Sequence, residues 1–279
     1  MIDVYKIGLK LYNDVDKNSG LFEYKLIKSK IEEALNCGYI SINKSVLIII
    51  NGSIDNEEEE YLLSKLKTYD KAIFIASDII SLKSNRNIID KCDVLLHQCP
   101  KRNIDGINIK QHYSYVPELF YTYKTFCNYD DRENALFFGG GVRDMEEVLT
   151  KIQNLVKCNF ILKNSTSDNR LPYDEYIKEQ LKHKYTLITC RKDYSEIGWV
   201  TARFIECIAN NNFPIVLSCY DTDDYFGIFK IKDLEDIPVV INYLETSNEM
   251  RTFIINNYKR TFSLNNYKFL TLLEELCNE

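Results

Sequence analysis

The apolar positions of this chain switch repeatedly between short continuous runs and helical spacing, which predicts strands alternating with helices. Residues 4–11 (VYKIGLKL) alternate loosely and predict a first strand, and the polar loop NDVDKNSG then ends at Gly20. Over 21–36, Leu26, Ile27, Ile31, Ala34 and Leu35 share one face of an amphipathic helix. SVLIIINGS (45–53) reads as a buried strand and a turn. DNEEEEYLLSKLK (55–67) reads as a helix with Asp55 as N-cap, its block of Glu suited to the helix dipole. KAIFIASD (71–78), VLLHQC (94–99) and INIKQHYSYVP (107–117) are further strands. Strands separated by helices imply a parallel sheet.

From 118 to 134 the pattern turns aromatic and then polar, and a domain boundary falls there. ALFFGGGVRDMEEVLTKIQNLV (135–156) restarts the cycle as strand, triple-glycine turn and helix. NFILKN (159–164) and YTLITC (185–190) are strands flanking a helix over 171–183. In 191–217 a polar loop ends at Gly198 and a helix carries Val200, Phe204, Ile205 and Ile208 on one face. The run Asn210 to Asn212 stops that helix, and FPIVL follows as a buried strand. Residues 229–244 predict a last strand and helix, and helical patterns over 247–258 and 265–277 close the chain. The expectation is an α/β protein of two Rossmann-like domains, 1–125 and 126–261, with the C-terminal helix 262–279 a candidate to pack back onto the first.

Composition narrows the chemistry. A chain of 279 residues with 45% hydrophobic residues can build two cores. A net charge of −6 offers no long-range attraction to nucleic acid, so any DNA contact needs a local basic patch. No signal sequence or membrane span is visible, and a monomer in the cytoplasm (a host's, if the source is viral) is expected. The nine Cys include no CxxC pair, and Cys158, Cys190 and Cys207 sit in apolar patterns, as reduced buried thiols do. His97, His112 and His183 do not cluster, so no metal site is expected.

Three stretches carry candidate chemistry. GGGVR (139–143) falls at a strand-to-helix junction, where glycines let a phosphate approach and Arg143 could clamp a diphosphate. A tight turn with an exposed Arg is the plain alternative. Arg203 and Glu206 lie three apart on one helix face, and a carboxylate there could accept both ribose hydroxyls of a nucleotide. The plain alternative is a surface ion pair. Asp78, at a strand's C-terminal end among apolar neighbours, is a general-base candidate, with a turn or N-cap role competing.

Taken together, IINGSI (49–54), FIASDI (74–79), FFGGGVR (137–143), RLPY (170–173) and KDYSEIGWVTARFIECIANNNFPIVL (192–217) resemble, in order and spacing, glycosyltransferases of the GT-B type. The closer resemblance is to the DNA β-glucosyltransferases of T-even phages. The resemblance implies GT-B architecture, two Rossmann-like domains with parallel sheets facing a central cleft, an acceptor domain first and a nucleotide-sugar domain second. It implies an inverting transfer of a sugar, glucose in that family, from a UDP-sugar to the hydroxymethyl group of a modified pyrimidine such as 5-hydroxymethylcytosine in double-stranded DNA. Asp78 falls at the family's catalytic base. Gly140, Gly141 and Arg143 fall at its diphosphate site, Leu171 at its uracil contacts, and Arg203 and Glu206 at its ribose site. No tightly bound cofactor is implied, although Mg or Mn could assist product release. The chain departs from the family pattern at Glu147, where a second phosphate-binding Arg stands, and at Ser114, where a Glu stands. A transferase acting on a small molecule, glycan or protein, or a degenerate nucleotide-binding relative, is the alternative.

Overall fold

The computed structural model describes residues 1–7, 19–50, 55–76, 79–97, 111–114, 129–141, 145–163, 173–189, 202–217 and 228–279. Two compact units result: Met1–Phe120 with Leu264–Glu279, and Tyr121–Ser263.

The first unit runs β1 (Ile2–Lys6), α1 (Ser19–Asn36), β2 (Val46–Ile50), α2 (Asn56–Leu66), β3 (Lys71–Ala76), α3 (Ile79–Ser84), α4 (Arg86–Ile89), β4 (Val94–His97) and β5 (Gln111–Ser114). Its sheet has the order β1-β2-β3-β4-β5, with every pairing parallel. The central strands read as unbroken apolar runs because both faces are covered, so no position can be polar at low cost. On one face Ile48, Ile50, Ile73 and Ile75 pack with Ile31 of α1 and with Leu273 and Leu276 of the C-terminal helix. Three hydrogen bonds fasten that helix: Ser41 N donates to Glu274 Oε1 at 2.7 Å, Asn43 N to Asn278 Oδ1 at 2.9 Å and Asn278 Nδ2 to Ser41 O at 2.7 Å. Asp55 is the N-cap of α2, accepting from Glu58 N at 2.8 Å. β1 starts two residues before the alternating run and ends at Lys6, because it pairs along the whole of β2 from Ile2↔Val46 to Lys6↔Ile50. α3 and α4, of 6 and 4 residues, are too short to display a helical period, and periodicity did not predict them.

The second unit runs β6 (Glu133–Gly141), α5 (Glu146–Leu155), β7 (Cys158–Lys163), α6 (Tyr173–Leu181), β8 (His183–Ile188), α7 (Ala202–Ala209), β9 (Phe213–Leu217), β10 (Lys230–Ile231) and α8 (Asp236–Thr246). The start of α9 (Asn248–Asn278) completes it. Its sheet is also all parallel, in the order β10-β9-β8-β6-β7. Leu136, Phe138, Leu187, Phe213 and Ile215 form one core face with Leu149 and Ile152 of α5 and Ile237 of α8.

Two expectations are corrected. The helical patterns over 247–258 and 265–277 belong to one helix, α9, of 31 residues. No Pro or Gly occurs after Pro238, so nothing breaks the backbone between them. The triple glycine is no turn: Gly139, Gly140 and Gly141 are the last residues of β6, paired with Ile161, Leu162 and Lys163 of β7. Among the described residues, Cys37, Cys92, Cys158, Cys207 and Cys277 are free thiols. Cys207 is buried and Cys158 half-buried, its thiol pushed up to about 11 by burial. Cys190 lies outside the described residues. No described helix is long and apolar enough to cross a membrane.

Candidate functional site

The second sheet has a topological switch point at β6, because β7 follows it on one side and β8, β9 and β10 on the other. In open parallel sheets, ligands bind outside the carboxyl ends of the strands at such a point. The β6–β8 ladder ends at Phe137↔Thr186, whereas β6 stays paired with β7 to Gly141↔Lys163 and β8 with β9 to Ile188↔Val216. The two strands therefore part company at their carboxyl ends, and the glycine segment of β6 lies on one side of that opening.

Gly139 has a specific reason to lack a side chain. A Cβ there would lie 2.4 Å from Cε2 and 3.0 Å from Cδ2 of Tyr176, and the shorter distance requires the ring to move. Tyr176, on α6, packs its ring against Phe137 with centroids 5.7 Å apart. The charge of Arg203, on α7, acts on its hydroxyl. Burial chiefly, with the nearby Glu206 charge, pushes the Tyr176 hydroxyl well above the usual tyrosine range, against the opposing Arg203 cation. The Arg203 guanidinium also stands 5.1 Å from the centre of the Phe138 ring, in cation–π range.

Glu206 is only 6% exposed, so it is not half of a solvated surface pair. A carboxylate is removed from water at considerable cost unless charged or hydrogen-bonding partners compensate. On α7 the buried Phe204 follows Arg203 and the buried Cys207 follows Glu206, and Phe204 meets Tyr258 of α9 edge-on at 5.5 Å.

The asparagine run fixes where α7 ends. Asn211 takes a left-handed conformation, φ 57°, with its N–H donating to Ile208 O at 3.2 Å, and Asn212 N–H reaches Cys207 O at 2.9 Å. These two bonds form a Schellman cap with Asn in the place where Gly is usual. The buried Asn212 side chain then donates to Gln180 O at 2.9 Å and His183 O at 2.8 Å, and accepts from Arg132 Nη1 at 2.6 Å. Asn210 Nδ2 donates to Gln180 Oε1 at 3.0 Å, and Lys259 donates to Asn211 Oδ1. Burial, with the Arg132 charge second, lowers the Lys259 ammonium below its usual range. This network ties the C-terminal end of α7 to the beginning of β8. The first turn of α7, with Arg203, thereby starts at the opposite, carboxyl end of the sheet.

Of the residues expected to form the site, the structure describes Gly140 and Gly141 at the end of β6 and Arg203 and Glu206 on α7. Asp78, Arg143 and Leu171 lie outside the described residues. Asp78 follows β3 by two residues in sequence, and the last residue of β3, Ala76, pairs with His97, which pairs with Ser114. His97 is fully buried. Tyr176 was not anticipated, since a tyrosine inside an amphipathic helix gives no sign of the glycine it faces. Surface hollows of about 380 Å³, beside Asn248, Thr252 and Phe253, and about 250 Å³, beside Asn134 and Pro238, are separate from this site. The second of them sits at the opposite end of β6. No three His, Cys, Asp or Glu among the described residues converge to hold a metal ion.

No protein-family model matches the sequence, nor does any curated protein sequence. Solved structures do match. T4 phage β-glucosyltransferase in complex with UDP and Mn2+ superposes with a TM-score of 0.61 at 12% identity, over 100% of this chain and 99% of that one. The DNA-modifying enzyme β-glucosyltransferase, solved with and without uridine diphosphoglucose, gives 0.58 at 12% identity, again over 100% and 99%. The UDP-forming α,α-trehalose-phosphate synthase of Burkholderia vietnamiensis gives 0.51 at 8% identity, over 93% of this chain and 78% of its own. The chain therefore has the GT-B fold of these glycosyltransferases.

Proposed function

We propose that the protein is an inverting glycosyltransferase that moves a sugar, glucose for preference, from a UDP-sugar to the hydroxymethyl group of a modified pyrimidine in DNA. The carrying observation is Glu206: a carboxylate 6% exposed, beside Arg203, on the helix that follows β8 at the switch point of the second sheet. In this reading the second unit binds the donor. Glu206 accepts the ribose hydroxyls, Arg203 is its partner, and backbone around Leu171 reads uracil. The β6 glycines Gly140 and Gly141 lead the backbone to the diphosphate, and Arg143 with the following helix N-terminus stabilises the charge that grows there as UDP leaves. The first unit binds the acceptor, and Asp78 takes the hydroxyl proton as the oxygen attacks the anomeric carbon in line. A base in duplex DNA has to leave the stack for this attack. The T4 structure holds UDP with Mn2+, and a divalent ion enters here only as a companion of released UDP.

A small-molecule acceptor is the second reading, favoured by the net charge of −6 and by the likeness to trehalose-phosphate synthase. Incubation with a panel of UDP-sugars and either hydroxymethylated DNA or free sugars, followed by mass spectrometry, separates the two. UDP at about a hundred times its dissociation constant should stabilise the fold by about 2.7 kcal/mol. A thermal shift with GDP or an adenine nucleotide but with no UDP compound rejects the uridine donor.

A further inference from the structure

We infer that Tyr258 and Lys259 of α9 are positioning residues of the nucleotide site: they grip α7 at both ends and so fix where Arg203 and Glu206 stand for the ribose. This rests on the reading of Glu206 as the ribose acceptor.

α7 has 8 residues, a length at which a helix in water does not hold itself together. Its place is therefore set by what it packs against. Toward its start the fully buried ring of Phe204 meets Tyr258 with centroids 5.5 Å apart and planes at 64°. At the other end Lys259, the next residue of α9, donates to Asn211 Oδ1, on the left-handed residue that caps α7. A cation there also suits the negative end of the helix dipole. Tyr258 is itself held: it is 5% exposed, and its hydroxyl accepts from Phe229 N at 2.8 Å, just before β10. β10 pairs with β9, the strand that follows α7, so the grip is referred back to the second sheet. Phe204 stands between Arg203 and Glu206 in the chain, and a turn of α7 about its axis carries all three side chains with it. Hydrogen bonds weaken steeply with distance and angle, so such a turn takes both oxygens of Glu206 out of line at once. Lys259 stands where its charge is disfavoured, by burial first and by Arg132 second, so its bond to Asn211 orients α7 without being a strong source of stability.

The test compares the affinities of UDP and 2′-deoxyuridine diphosphate by calorimetry, with melting temperatures of the full-length chain measured in parallel. Lys259→Met keeps the stem, drops the bond to Asn211 and removes the disfavoured charge, so it should melt close to wild type. It should nevertheless weaken UDP roughly three- to tenfold while hardly affecting the deoxy compound, so the preference for ribose shrinks. Tyr258→Leu should shrink the same preference, and Tyr258→Phe, which keeps a ring on Phe204, should restore it. A preference unchanged in Lys259→Met or in a folded Tyr258→Leu, equal weakening of both nucleotides, or no restoration by Tyr258→Phe overturns the positioning role while leaving the ribose reading intact. Lys259→Met decides the matter where Tyr258→Leu does not fold. If Glu206→Gln also leaves the preference unchanged, or wild type binds neither nucleotide, the ribose reading itself fails and this inference with it.

Discussion

Asn212 offers a quantitative check on how α7 is held. Asn212→Ala removes the acceptor for Arg132 Nη1 at 2.6 Å and the donor to the Gln180 and His183 carbonyls at 2.9 and 2.8 Å. Arg132 is 4% exposed and Asn212 is fully buried, so water does not readily replace the lost partner. Each stranded group costs about 1–3 kcal/mol, and more if charged, but a cavity the size of an amide allows some relaxation. A total loss of about 3–5 kcal/mol is expected, comparable to breaking a buried charged pair. At about 2–4 °C per kcal/mol for a domain of this size, the full-length chain should melt roughly 6–20 °C lower by calorimetry. Asn212→Asp keeps an acceptor for Arg132 but turns an oxygen toward two carbonyls, and should recover only part of the loss. An Asn212→Ala protein that melts within about 1 kcal/mol of wild type would refute the reasoning, because the network would then contribute nothing net.

Glu206→Gln preserves shape but halves the acceptor capacity and removes the charge, so UDP affinity should fall about 10- to 150-fold by calorimetry; an unchanged affinity sinks the ribose role. Asp78→Asn should bind UDP-sugar normally while transfer drops by at least about a hundredfold, and full activity would place the base elsewhere. Although partial burial works against it, hydrogen bonds from Lys65 and Tyr69 hold the Asp3 carboxyl below its ordinary range. A carboxyl lowered in the folded state stabilises above its unfolded value and loses that contribution as the pH falls through the folded one. Wild type and Asp3→Asn, compared by denaturant titration, should therefore differ in stability at neutral pH and converge below about pH 4; a gap that persists in acid contradicts the pairing.

Much of the architecture was legible without coordinates. Runs such as VLIII and KAIFIA announce strands covered on both faces, because a polar residue there would lose water on either side. The Asn210–Asn212 stop was legible too, since asparagine is among the few residues that enter the left-handed region readily. Arg203 and Glu206 declared a common helix face through their spacing alone. Spacing could not say that Glu206 is buried, because burial depends on what α7 packs against. Likewise, three glycines in a row look like a turn by local propensity, yet they continue β6 because β7 supplies a ladder partner for each. Local preference for a turn is worth under a few kcal/mol, and pairing in a sheet outweighs it. The switch point at β6 depends on the lateral order of strands, which no local pattern encodes. The contact between Gly139 and Tyr176 joins residues 37 positions apart, and only the packing of α6 on β6 decides that the glycine is needed there.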